Sequence, residues 1–258
     1  MPRFAANLQW LFTEHTFLDR FAAARAAGFA AVEFPSPYGH PAREIAARLE
    51  EHGLECVLFN LPSGDRGRGD FGLGCRPERE TVFRAGVGRA IEYARALGVR
   101  QVNCIAGRAA EGEAIAPLER TLVGNLRYAA RELRAAGLDL LIEPINTHDV
   151  PGFFVPTSPG AARLIEQVAE PNFFLQCDLY HTAMMGDDGA ATFDRLRPLI
   201  RHIQFADAPG RGEPGTGLLD LAALFARIDA SGYPGWVSAE YRPSQRTEDT
   251  LAWFSPRA

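Results

Sequence analysis

A chain of 258 residues that is 47% hydrophobic and 23% charged has the material for a sizeable core and excludes a disordered or fibrous protein. Its 27 basic and 32 acidic residues give a net charge of −5 with no basic tail or stripe, which argues against a nucleic-acid partner. All 27 basic residues are arginine, so Schiff-base aldolases, pyridoxal enzymes and P-loop nucleotidases, each of which needs a lysine, are excluded in their usual form.

From the N-terminus, Phe4 to Leu8 reads as a first strand. Thr16 is expected to cap a helix with Phe17, Leu18 and Phe21 on its apolar face, ending at Gly28. Ala31 to Phe34 predicts a second strand, Ile45 and Leu49 mark a helix that stops at Gly53, and Cys56 to Asn60 predicts a third strand. A third helix carries Val82, Phe83, Val87, Ile91 and Leu97 up to Gly98, and a strand follows over Val102 to Ile105. Leu122, Leu126, Ala129, Ala130 and Leu133 keep helical spacing to Gly137, and Leu140 to Ile142 is a short apolar run of the kind a buried parallel strand shows. Ser158-Pro159 supplies a cap and an N1 proline for a fifth helix, and Phe173 to Leu175 reads as strand six. Ile200 to Phe205 and Tyr233 to Tyr241 give strands seven and eight, after which Thr247 or Glu248 opens a last helix containing Leu251 and Phe254.

Gly28, Gly53, Gly98, Gly137 and Gly232 each follow a helix and precede a strand, a repeated helix, stop, strand junction. The 95 residues between the last two leave room for two further units, with Pro171 and Pro198 near their junctions. Eight strands alternating with eight helices and no composition break predict a single (β/α)8 TIM barrel over residues 1–258, with a doubly wound open sheet as runner-up. No apolar run approaches the ~20 residues of a membrane span and no secretory signal opens the chain, so a cytoplasmic location is expected. Cys56, Cys75, Cys104 and Cys177 lack paired metal spacing and read as buried thiols.

Four strand-like runs end on a residue able to hold a metal: Glu143, Asp178, Gln204 and Glu240, spaced by 35, 26 and 36 residues, about one strand plus one helix each. In a barrel these fall at the C-terminal ends of the strands, where catalytic groups belong. Eight strands about 4.8 Å apart and tilted about 36° place Glu143 and Glu240 ~14 Å apart at Cα, so inward side chains leave a gap of ~5 Å, about twice a metal–oxygen bond of ~2.1 Å, and one ion fits between them. Oxygen ligands with Gln in place of His favour Mg²⁺ or Mn²⁺ over Zn²⁺. Two residues earlier on the same strands, Leu141, Gln176, His202 and Ser238 form a partly polar layer suited to fixing ligand rotamers.

Glu143-Pro144-Ile145-Asn146, Asp178-Leu179-Tyr180-His181, Gln204-Phe205-Ala206-Asp207, the Arg211 to Gly217 loop, Asn60 to Asp65 and the closing Gly235 to Tyr241 together resemble the hydroxypyruvate isomerase family of xylose-isomerase-like barrels. The resemblance covers nearly the whole chain. It implies that Glu143 and Glu240 are an acid/base pair and that Glu143, Asp178, Gln204 and Glu240 bind the metal. Related ketose 3-epimerases usually carry His where this chain has Gln204, which favours the hydroxypyruvate isomerase branch. The expected reaction interconverts hydroxypyruvate and tartronate semialdehyde through an enediolate, with a 2-oxo-tetronate isomerase, a ketose 3-epimerase or a non-catalytic sugar-acid binding protein as alternatives.

A small hydroxy-oxo acid substrate carries a carboxylate, for which Arg211 is the first expected partner because its planar fork matches it. His181 is expected as a donor to a substrate oxygen, and Asp149 and Asn103 as further substrate contacts, with His148, Glu33, Asn7, Trp10, Phe12 and Phe153 nearby. The Gly67 to Gly72 segment matches a dinucleotide pattern, but strand and helix do not adjoin it, so NAD binding is rejected and Ser63 to Cys75 is read as a mouth loop. The six histidines do not supply strand-end ligands for the zinc cluster of a nuclease of the same barrel superfamily. Nothing in the pattern fixes the oligomeric state, and a homo-oligomer is compatible with it.

Overall fold

The computed structural model describes residues 1–254; the expected domain end at Ala258 lies outside the described residues. Eight parallel strands close on themselves in sequence order: β1 (Arg3–Asn7), β2 (Ala31–Glu33), β3 (Glu55–Asn60), β4 (Gln101–Cys104), β5 (Asp139–Ile142), β6 (Phe173–Asp178), β7 (Ile200–Phe205) and β8 (Trp236–Ala239). The first five strands are each followed by one main helix: α1 (Arg20–Ala26), α2 (Ala42–His52), α3 (Glu80–Leu97), α4 (Ile115–Ala135) and α5 (Ser158–Val168). Amphipathic spacing makes these helices: in α4, Leu118, Leu122, Leu126, Ala129, Ala130 and Leu133 are buried on one face against the sheet.

The regular alternation breaks after strand six. Two helices follow β6, α6 (Leu179–Met184) directly from Asp178 and then α7 (Gly189–Leu196), while α8 (Leu221–Ala230) follows β7. After β8 the described residues form a 3-10 turn over Thr247–Thr250 in place of the expected helix, and Leu251 and Phe254 lie beyond it. Phe254 stacks on Phe29 with ring centroids 4.2 Å apart, so aromatic packing helps to fix this segment without an α-helix.

Smaller expectations also shift. The Thr16 hydroxyl donates to the Asp19 carboxylate rather than capping a backbone N–H, and α1 starts at Arg20. Thr157, one residue before Ser158, caps α5 by accepting from the Gly160 N–H, and Ala169 at φ 55° takes the left-handed position that ends the helix. Val82 is 49% exposed, outside the apolar face assigned to it. All four cysteines are free and buried, as expected. No helix among the described residues is long and apolar enough to cross a membrane.

Inside the barrel, Ala5, Ala31, Leu58 and Leu141 pack in a small cluster of their own. Each lies two residues before a polar one on the same strand: Asn7, Glu33, Asn60 and Glu143. The period of two keeps both members of each pair on one face, so a single strand supplies floor and mouth.

Candidate active site

The mouth is a ring of eight polar residues, one per strand: Asn7, Glu33, Asn60, Asn103, Glu143, Asp178, Gln204 and Glu240. Register aligns three neighbouring pairs, Asn7 with Glu33, Asn60 with Asn103 and Asp178 with Gln204. Asn7, Glu33, Asn60, Glu143, Gln204 and Glu240 line a common cavity walled by Phe34 and Phe59.

One side of the ring is a hydrogen-bonded network around Glu33. Its Oε1 accepts from Asn7 Nδ2 at 2.8 Å and Gln204 Nε2 at 2.7 Å, and its Oε2 meets His202 Nε2 at 2.5 Å. Asn7 Nδ2 also donates to Glu240 Oε1 at 2.9 Å, and Gln176 Nε2 donates to Gln204 Oε1 at 2.5 Å. Burial alone would raise the Glu33 carboxyl, but the charge and hydrogen bond of His202, with the Gln204 and Asn7 bonds, bring it below the ordinary value.

The other side is densely charged. Arg211 Nη2 lies 2.5 Å from Glu240 Oε2 and 3.6 Å from Asp178 Oδ2, and its guanidinium packs over Trp10 and Tyr180 with carbon-to-centroid distances of 4.8 and 4.9 Å. His181 Nε2 sits 3.5 Å from Asp178 Oδ2 and 3.8 Å from Glu143 Oε1. Asn103 Nδ2 donates to Glu143 Oε2 at 3.2 Å. Burial, then repulsion from Glu240 and Asp178, pushes the Glu143 carboxyl well up. Burial also raises Glu240, to about 8, against the opposing pull of Arg211. Burial lowers His181 to about 4, which makes the neutral ring the form present near neutral pH.

The loop that delivers Arg211 is built around Asp207, whose carboxylate accepts from the N–H groups of Ala208, Gly215 and Leu219 at 2.9 Å each. A Cβ at Gly217 would collide with the Ala208 carbonyl and the Asp207 carboxylate, so only glycine lets the loop close. Arg211 itself has φ 58°, a left-handed conformation that costs about 1–2 kcal/mol for a non-glycine residue.

Of the residues expected from sequence, Glu143, Asp178, His181, Arg211 and Glu240 come together, Gln204 joins them through the Glu33 network, and Asn103 touches Glu143. Asp149 stands at the exposed rim, its Oδ2 accepting from Asn146 Nδ2 and the Tyr180 hydroxyl, and His148 is exposed beside it. Phe12 packs against Phe29 in the core and Phe153 against Phe71 in the outer loops. Sequence reasoning passed over Asn146 and Tyr180 as individual residues; the Asn146-x-x-Asp149 spacing, a side-chain-capped turn, was the available signal.

The donor set suits a hard divalent cation. Glu143, Asp178 and His181 each bring a ligand atom within 4.8 Å of one another, and Asp178 Oδ2 is buried with no hydrogen-bond partner. Gln204 Oε1 keeps a second lone pair beyond its bond from Gln176. A cation here would offset the mutual repulsion of the buried carboxylates.

Comparison with known proteins bears on this site. Residues 21–257 match the family model described as xylose isomerase-like TIM barrel. The chain is 44% identical to hydroxypyruvate isomerase from Escherichia coli K12, covering 99% of both chains, and 43% identical to 2-oxo-tetronate isomerase from Cupriavidus necator, covering 99% of this chain and 98% of that one. A crystal structure titled AP endonuclease, family 2, from Brucella melitensis superposes with a TM-score of 0.96 at 42% identity over 99% of each chain. With its closed barrel and its ring of strand-end carboxylates, this chain is an isomerase that belongs to the xylose isomerase-like TIM barrel family.

Proposed function

We propose that the chain interconverts hydroxypyruvate and tartronate semialdehyde, with Glu143 and Glu240 moving the proton. The observation that carries this reading is the pairing of two buried carboxyls on one cavity, with Arg211 against Glu240 and His181 beside Glu143. Moving a carbonyl by one carbon requires a base to take a proton from C3 of hydroxypyruvate and an acid to return one to C2. Carboxyls shifted towards neutrality can do either, and positioned proton transfer of this kind is worth about 10² to 10⁴ in rate.

Glu143, Asp178, Gln204 and Glu240 would hold one Mg²⁺ or Mn²⁺, which supplies Lewis-acid stabilisation for negative charge on the substrate oxygens. The remaining work belongs to the chain. Arg211, fixed by its aromatic partners and by Glu240 at Nε and Nη2, keeps Nη1 as a donor for the substrate carboxylate. His181, beside Asp178 and Glu143, is placed as a donor to a substrate oxygen. Asn103 orients Glu143, and Asn7 orients Glu240. Phe34 and Phe59 limit water around the reacting carbons.

A 2-oxo-tetronate substrate, one carbon longer, is the second reading and is favoured by the 43% identity to the Cupriavidus necator enzyme. For a nuclease with a zinc cluster, the described residues hold one three-residue metal-capable group, short of ligands for several ions. Purified Mg²⁺-loaded protein incubated separately with hydroxypyruvate and 2-oxo-tetronate, with products resolved by chromatography, tests the reading. Isomer formation from hydroxypyruvate at the higher kcat/KM supports it; conversion of 2-oxo-tetronate alone selects the second reading.

A further inference from the structure

The geometry points to Asn146 and Asp149 as positioning residues that lock His181 in its Nε2–H tautomer, which reserves His181 for the substrate and keeps it out of the metal's coordination. The inference rests on the proposed isomerase reading for its catalytic consequence, but the tautomer itself does not.

The argument starts from Asn146, buried in the turn after β5. Its Oδ1 accepts from the Asp149 backbone N–H at 2.8 Å, which can only donate. Its Nδ2 faces the Asp149 carboxylate at 3.0 Å, which accepts. These two contacts fix which end of the amide is which: the flipped amide would set oxygen against carboxylate and NH₂ against N–H. Asp149 is held in turn by the Tyr180 hydroxyl at 2.9 Å.

With the amide so fixed, its second Nδ2 hydrogen points at His181 Nδ1, 2.7 Å away, and the Asn146 backbone N–H approaches the same atom at 3.5 Å. The donor 2.7 Å away requires Nδ1 to carry the lone pair, so the ring proton sits on Nε2. Arg211 Nη1, itself a donor, lies 3.4 Å from Nε2, farther than Asn146 Nδ2 from Nδ1, so the shorter contact decides the tautomer.

A protonated Nε2 has no lone pair to give a cation. His181 therefore drops out of the Glu143, Asp178, His181 group despite its position, and the cation falls to the carboxylates. The Nε2–H faces Asp178 Oδ2 at 3.5 Å and Glu143 Oε1 at 3.8 Å, both beyond a normal N–H···O bond, which leaves its proton for a substrate oxygen.

¹⁵N-histidine NMR of the Mg²⁺-loaded protein, with the His181 ring assigned by His181→Asn, reads the tautomer directly. The expected spectrum has Nε2 protonated and Nδ1 unprotonated. Asn146→Asp replaces the donor with an acceptor, and it should move the ring proton to Nδ1 and lower kcat by about 10²-fold with little change in KM. Asp149→Asn, at the exposed rim, frees the amide to turn and should give a mixture of tautomers with a smaller kcat loss, so the test survives if Asn146→Asp does not fold. Mn²⁺ affinity measured by calorimetry should stay near wild type in His181→Asn. A wild-type ring protonated on Nδ1, or a Mn²⁺ affinity lost in His181→Asn, overturns the inference. If the tautomer is as expected but neither acid isomerises, the proposed function fails and the lock stands.

Discussion

The floor and the mouth of this barrel are made by the same strands, two residues apart, yet their chemistry is opposite. Ala5, Ala31, Leu58 and Leu141 bury apolar surface, while two residues further on the same strands Asn7, Glu33 and Glu143 bury polar atoms and Asn60 is half-buried. On β6, β7 and β8 the lower position is Gln176, His202 or Ser238, which reaches upward or sideways: Gln176 to Gln204, His202 to Glu33, Ser238 to the Ala5 carbonyl. The lesson is that depth along a strand, more than position around the ring, separates residues that hold the fold from residues that do the chemistry. Substitutions at the two levels should therefore fail in different assays.

The largest effect is expected at the mouth. Glu240→Gln or Glu143→Gln should lower kcat by about 10²- to 10⁴-fold, and Glu143→Gln should keep a thermal midpoint near wild type because it removes a buried carboxyl repelled by Glu240 and Asp178. Steady-state kinetics beside calorimetry reads both. At the floor, Leu141→Ala should cost about 2–5 kcal/mol of stability by denaturant unfolding and leave the turnover of the folded fraction intact. Between the levels, Glu33→Gln loses the charge that binds His202 and should cost about 10- to 100-fold in activity or metal affinity, without touching substrate itself.

A pH titration sharpens the contrast. Glu143 and Glu240 are raised on folding, so their protonated forms favour the folded state; that contribution is complete below their ordinary value of 4.5 and is lost as pH rises, for Glu240 through about 8. Metal-stripped protein should melt lower at about pH 9 than at about pH 5, and added Mg²⁺ should remove the difference. Glu33 has the opposite sign: it is lowered, so its contribution is lost only in acid. The smallest effect is expected on the outer rim, where Asp70→Asn breaks a part-exposed pair with Arg79 and should cost about 0.2–1 kcal/mol with no change in kcat.

Much of this division was legible in the sequence. Glycine stops and apolar runs marked all eight strands, and Glu143, Asp178, Gln204 and Glu240 stood out because each ended an apolar run. The pattern faltered where tertiary packing replaced local signals: the segment after β8 is held by the Phe254 stack on Phe29, and Ala169 ends α5 without a glycine. The Arg211 ion pair with Glu240 and the Asn146 contact with His181 join residues 29 and 35 positions apart, and no periodicity encodes which donor faces which acceptor. The resemblance carried by the strand-end motifs supplied the rest, and the 44% identity to the Escherichia coli enzyme agrees with it.

The central claim is that two carboxyls facing one cavity pass a substrate proton between neighbouring carbons. Incubating the Mg²⁺-loaded enzyme with hydroxypyruvate in D₂O and following C3 by proton NMR tests it most directly. The account predicts loss of the C3 proton signal with appearance of deuterated tartronate semialdehyde, and neither in Glu240→Gln; an unchanged C3 signal with no aldehyde from the wild-type enzyme would contradict it.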